Sequence, residues 1–234
     1  MTPGAHDQLV RLMPGGGRVV LDVGCGDGGL VRMLAARGAR AIGLEVAAEP
    51  LARARAAPPV AGERYAWGRA QALPFADGTM DVVTFSNSLH HVVARHLDQA
   101  IAEAARVLRP GGLLCVQEPL SEGSYFELLR LVDDESECRA LARGAIRRAD
   151  GLALFYQREI RFELELRFAS FQVFLDRAIL VDGARAAALR RNRHAVLSEF
   201  TSARDPNGVG YRFSQPMRID VLRRDRGHAG GTGA

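Results

Sequence analysis

Residues 18–30 read Arg-Val-Val-Leu-Asp-Val-Gly-Cys-Gly-Asp-Gly-Gly-Leu, or RVVLDVGCGDGGL. Val19, Val20 and Leu21 run without alternation into Asp22, the pattern of a parallel strand buried on both faces. Gly24, Gly26, Gly28 and Gly29 then leave almost no side chain in the turn before an apolar helical pattern begins. Glycine takes positive φ and lets a ligand lie against bare peptide, while the amides that open the next helix point at whatever sits there. The stretch predicts strand, glycine loop and helix, and the loop reads as a cradle for a small molecule.

Composition bounds what surrounds this cradle. With 234 residues, 47% of them hydrophobic, the chain buries one sizeable core, and residues 1–225 are expected to form a single domain with a disordered glycine-rich tail at 226–234. No apolar run approaches the roughly 20 residues of a membrane span. Residues 1–17 lack the charged-then-apolar order of a signal peptide, so a cytoplasmic protein is expected. The net charge is +4, yet every basic residue is arginine. Together with the alanine and glycine content this fits a GC-rich genome better than the clustered basic face that nucleic acid demands. Neither nucleic acid nor membrane is an expected partner. Cys25, Cys115 and Cys138 are odd in number and lack C-x-x-C spacing, which indicates free thiols and no zinc site.

Outward from the cradle, residues 5–13 predict a short helix ended by Pro14 and Gly15-Gly16-Gly17, enough for only a small flap. Leu30, Met33, Leu34 and Arg37 keep helical spacing up to Gly38, and 41–44 predicts a second strand ending on Glu45. Glu45 stands near the roughly 20-residue distance from Asp22 expected of an acid that accepts from both ribose hydroxyls. A helix from Pro50, a strand near 64–68 and a strand at 80–85 after the Asp77-Gly78 turn follow. Val93, Leu97, Ile101, Ala104 and Leu108 share one helical face, Arg109-Pro110-Gly111-Gly112 predicts a sharp break, and 113–117 reads as a fifth strand. Such alternation implies a parallel sheet covered by helices on both faces. Beyond Glu118, 124–148 reads as helix with a break near Gly144, 155–168 as a strand, 171–180 and 184–200 as helices. Asp205-Pro206-Asn207-Gly208 then reads as a turn before a strand at 211–222.

Five blocks occur in one order: VLDVGCGDGGL, Glu45, GRAQALPFADGTMDVV, Leu89-His90-His91-Val92 and RVLRPGGLL. Over residues 18–118 they resemble the class I S-adenosylmethionine (SAM) dependent methyltransferases of small molecules. The resemblance implies an α/β, Rossmann-like, doubly wound sheet of seven strands, mostly parallel with an antiparallel final strand. It also implies helical lid segments, placed at about 120–150 and 169–205. The implied cofactor is S-adenosyl-L-methionine, with Asp22, Gly24, Cys25, Gly26, Gly28, Glu45, Val46, Arg69, Ala70, Gln71, Ser86, Asn87 and His91 around it. One position departs from the family: after Gly68 an aspartate commonly accepts from the adenine amino group, whereas Arg69 only donates. Adenine is then left to the backbone near Ala70 or Gln71, with Phe75 and Leu44 as walls.

SAM carries an already electrophilic methyl group, so the protein needs to align an acceptor and exclude water. The acceptor side falls at the carboxyl ends of the parallel strands, where His90 or His91 is a candidate general base and Tyr125 a candidate third catalytic residue from the lid. No carboxylate stands at ligand spacing from His90, His91 and His96, so no metal is expected. SNSLHH after the fourth strand lacks the Asn/Asp-Pro-Pro-aromatic run of methylases that act on amino groups of nucleic acids and proteins, and no Pro-Cys pair is present for cytosine C5 chemistry. Both features favour a small-molecule acceptor. Two alternatives stand beside the methyltransferase: a SAM-binding protein without catalysis, and an NAD-dependent oxidoreductase, since Gly24-x-Gly26-x-x-Gly29 also satisfies the dinucleotide fingerprint.

Overall fold

The computed structural model describes residues 4, 6–13, 16–181, 183–206 and 208–226. Helix α1 (Asp7–Leu12) precedes β1 (Val19–Val23), which runs through the glycine loop into α2 (Gly29–Ala36). Strand β2 (Arg40–Glu45), α3 (Ala48–Ala56), β3 (Arg64–Trp67), β4 (Met80–Ser86), α4 (Leu97–Val107) and β5 (Leu108–Pro119) complete the alternation. Then come α5 (Ser124–Arg130), α6 (Ser136–Arg147), β6 (Leu154–Phe168), α7 (Phe171–Val181), α8 (Arg185–Arg191), α9 (Arg193–Ser202) and β7 (Tyr211–Arg224).

The seven strands form one sheet in the order β3-β2-β1-β4-β5-β7-β6. Strands β1 to β5 pair in parallel, and β7 runs antiparallel to both neighbours, as expected of a doubly wound sheet with one reversed strand. The order turns back on itself between β1 and β4. In open sheets of this kind, ligands bind outside the carboxyl ends of the strands at that point.

The chain divides into two compact units. The first holds the described residues of Pro3–Glu118, Ala140–Ile160 and Arg218–Ala234. Its core joins Leu21, Val83, Phe85, Leu89, Ile101, Leu114 and Val116, all at most 1% exposed, and burying each such side chain contributes about 1.5–3 kcal/mol. The second holds Pro119–Arg139 and Arg161–Met217. There Phe168, Phe174, Phe200 and Phe213 are buried together with Leu128 and Val196. Of the lid segments, 120–139 and 169–205 fall in the second unit and 140–150 in the first.

Three local expectations are corrected. The Arg109-Pro110-Gly111-Gly112 break lies inside β5 as a bulge, because pairing jumps from Met80–Leu108 to Val82–Leu113 and Gly111 takes φ +79°. Helix α4 begins at Leu97 after two short 3-10 turns, which leaves Val93 55% exposed. The helix expected over 124–148 breaks at 131–135, not at Gly144. Val132 and Asp133 donate to Leu129 O to close α5, and the Asp134 carboxylate accepts from the Ser136 amide to start α6, whereas a single glycine inside a helix is tolerated. Pro14, Gly15, Asn207 and the tail from Gly227 lie outside the described residues.

Candidate active site

Asp22 ends the buried run of β1 and is 2% exposed. Its Oδ1 has no hydrogen-bond partner among the described residues. Burial, reinforced by the Glu45 charge, pushes its pKa up to about 8.

The glycine loop that follows is pinned to β2: Gly24 N and Cys25 N both donate to Leu44 O, at 2.7 and 3.0 Å. Gly24 has φ +75°, and a Cβ there would come within 2.5 Å of the Ser88 Cβ, so only glycine fits. At Gly26, φ +57°, a Cβ would meet nothing within 4 Å; the bare backbone there faces open space. Gly28 backs onto the Tyr65 ring, whose hydroxyl lies 3.5 Å from Gly28 O.

Glu45, at the end of β2, holds this loop as well as standing beside it. Its Oε2 accepts from Gly26 N at 2.9 Å, and Oε1 accepts from Val46 N and Ala47 N, each at 2.8 Å. Burial raises the Cys25 thiol far above its ordinary range, so it stays protonated and packs as a small neutral group against Gly43. Val46 is 52% exposed, and its carbonyl accepts from the Trp67 indole N–H at 3.0 Å. Arg69 lies over the Trp67 ring, 6.0 Å from its centroid. Ala70 and Gln71 are half-buried in the turn after β3. Leu44 is 1% exposed, a core residue packed under Gly68, while Phe75 is partly buried against the same core.

At the end of β4, Ser86 pairs with Gln117 of β5. Ser86 Oγ accepts from Gln117 Nε2 at 3.3 Å, and Asn87 takes φ +55° while its amide donates to Gln117 O. Buried Asn87 Oδ1, Gln117 Oε1 and Thr84 Oγ1 join Asp22 Oδ1 in having no partner among the described residues. Unpaired buried polar atoms are rare in folded proteins. These four atoms lie on β1, on β4 and just beyond its end, and on β5.

His90 and His91 lie on the 3-10 turn Leu89–His91. His90 is 4% exposed and His91 is exposed, with ring centroids 4.0 Å apart. Glu118, 2% exposed, engages His90 Nδ1 with Oε2, while its Oε1 accepts from Leu89 N and His90 N. Sequence reasoning named His90 and missed Glu118; the signal was an acid at the carboxyl end of β5, in the strand next to the one that launches the histidines. His6 was missed too, and its Nδ1 lies 3.3 Å from Ser86 Oγ.

Tyr125 is partly buried against the aromatic core of the second unit, stacked 6.0 Å from Phe168 and edge-on to Phe174 and Phe213. Phe171 and Phe174 stack at 5.9 Å in the same core, and Phe126 is buried beneath Arg130 and Arg139. Arg190, Arg191, Arg193 and His194 are exposed along α8 and α9. Among the described residues no helix is long and apolar enough to cross a membrane.

Residues 21–116 match the methyltransferase domain family. An uncharacterized methyltransferase of Synechocystis sp. is 38% identical over 100 residues, which cover 43% of this chain and 46% of that protein. The ubiquinone biosynthesis O-methyltransferase of Sodalis glossinidius is 35% identical over 133 residues, 55% of this chain and 51% of that one. The chain thus spans about half the length of these curated relatives. Among solved structures, the YcgJ protein of Bacillus subtilis superposes with a TM-score of 0.64 at 20% identity, covering 95% of this chain and 99% of that one, a likeness of fold.

Proposed function

We propose that this chain, which matches the methyltransferase domain over residues 21–116, transfers a methyl group from SAM to a hydroxyl of a small molecule. One observation carries the reading: a buried, unpartnered Asp22 oxygen stands at the head of a glycine loop whose far side is locked by Glu45. That donor set fits a ligand with a cationic amino-acid end and a ribose. Asp22 attracts the ammonium; Glu45 accepts from the ribose hydroxyls; Gly24, Cys25, Gly26 and Gly28 give backbone; Val46, Arg69, Ala70 and Gln71 flank the base; Ser86, Asn87 and His91 lie toward the reacting end. When bound, SAM supplies an electrophilic methyl carbon on a positively charged sulfur.

The chain's own part is alignment and proton removal. Glu118, engaged with His90 Nδ1, would favour the tautomer that carries the ring hydrogen on Nδ1 and so leave Nε2 as the basic nitrogen. That nitrogen would take the acceptor's hydroxyl proton, and the Glu118 charge would stabilise the resulting imidazolium; transfer of the methyl to the oxygen would break its bond to the sulfonium sulfur and leave S-adenosylhomocysteine. A relative named as an O-methyltransferase supports oxygen as the acceptor atom. The test is transfer of a tritiated methyl group to a panel of phenols, polyketide alcohols and carboxylic acids. Labelled ether products support the reading, whereas labelled esters alone would point to a carboxylate acceptor that needs no base. Tight SAM binding with no transfer to any member would favour the non-catalytic alternative.

A further inference from the structure

Helix α1 is short, but it is firmly docked: Leu9 is 0% and Val10 and Met13 are each 4% exposed. Asp7 fastens the turn before it by accepting from Gly4 N at 2.7 Å. His6, one residue ahead of the helix, is carried in by this docking. Its Nδ1 meets Ser86 Oγ at 3.3 Å, the same hydroxyl that accepts from Gln117 Nε2. Its Nε2 lies 4.0 Å from where a Cβ on Gly29 would stand, and Gly29 opens α2 directly after the glycine loop. The imidazole therefore spans from the end of β4 to the start of α2, the two elements on either side of the cradle. Burial lowers the His6 pKa, opposed by the charges of Asp27 and Asp7, which keeps the ring neutral beside a ligand that carries positive charge.

We propose that His6 is a positioning residue of the cofactor pocket: seated on Ser86, it bridges the loop-side mouth of the cradle and retains the bound S-adenosyl ligand, so that exchange of product for fresh cofactor requires the His6–Ser86 link to open. The proposal rests on the reading of the glycine loop as a SAM cradle. It gives His6, just ahead of α1, a place in the site.

The experiment is stopped-flow dissociation of S-adenosylhomocysteine from the full chain, chased with excess SAM. It is followed by fluorescence of Trp67, the single tryptophan, and independently by loss of tritiated ligand. His6→Ala is expected to raise the dissociation rate about tenfold with an unchanged melting temperature. His6→Asn, whose amide still reaches a hydroxyl, should recover much of the difference. Adding His6→Ala to Ser86→Ala should raise the rate no further, because the His6–Ser86 link is already gone. A dissociation rate in His6→Ala within about twofold of wild type overturns the proposal while leaving the cradle standing. So does a faster rate that appears only with a lowered melting temperature and is equal in His6→Asn, since that pattern belongs to a structural role. Absence of any SAM or S-adenosylhomocysteine binding to the wild-type chain, checked by calorimetry, removes the cradle reading and this proposal with it.

Discussion

The carboxylate of Glu118 holds His90 from two directions: Oε2 engages the imidazole Nδ1, and Oε1 accepts the His90 backbone amide together with that of Leu89. Ring and backbone are thereby set by one acid on a neighbouring strand. If this pair removes the acceptor's proton, His90→Ala should lower kcat by about 10² to 10⁴, the usual worth of general-base catalysis. Glu118→Gln, which removes the charge that engages His90 Nδ1, should lower kcat as well. Calorimetry should find SAM affinity within about twofold of wild type in both variants. Parallel loss of affinity and turnover would assign the pair to cofactor binding or to the fold.

Glu45 has a double effect to measure. Because it accepts three backbone amides and is proposed to accept the ribose, Glu45→Ala should cost about 1–3 kcal/mol in SAM affinity. The same substitution leaves the Gly26 amide of the glycine loop, and those of Val46 and Ala47 after β2, without their acceptor, so the melting temperature should fall even without ligand. A variant with unchanged dissociation constant and unchanged melting temperature would contradict both roles.

Asp22 makes stability and binding depend on pH in opposite senses. Its folded pKa is raised from 3.8 to about 8, so between those values the unfolded chain has released a proton that the folded chain keeps. The contribution of Asp22 to stability is therefore fullest below pH 3.8 and declines as pH rises toward about 8. A cationic ligand favours the ionised form, so SAM binding at pH 7 should release a proton and tighten as the pH approaches about 8. Titration calorimetry in buffers of different ionisation enthalpy should register that proton, and Asp22→Asn should abolish it.

Arg69 stacks on Trp67 and offers only donors where an adenine amino group needs an acceptor. Arg69→Asp should leave SAM affinity intact or improve it. A loss greater than tenfold, about 1.4 kcal/mol, would show that the cation on the indole face supports the base.

How much of this was legible in the sequence follows from the range of the interactions involved. The glycine loop and Glu45 are set by local constraints, positive φ and a strand-end acid, and these survive in a linear pattern. The break between α5 and α6 was misplaced because Gly144 is a weak breaker in a helix interior, whereas Asp134 starts α6 through one side-chain hydrogen bond. Leu108 was assigned to the helical face of Leu97 and Ile101, although it already pairs with Met80 in the sheet. Glu118 and His6 were missed for a common reason: each acquires meaning only through a partner 28 or 80 positions away, which strand order brings together and spacing does not. Tyr125 could not be placed from the sequence for the same reason: the rings it packs against, Phe168, Phe174 and Phe213, are farther from it in sequence than Glu118 is from His90.

The central claim is that the loop from Gly24 to Gly28 cradles SAM, and titration calorimetry of the full chain against SAM, S-adenosylhomocysteine and NAD tests it most directly. The account predicts saturable one-to-one binding of SAM and S-adenosylhomocysteine, lost in Asp22→Ala, and no heat with NAD. Saturable binding of NAD with no response to SAM would contradict it.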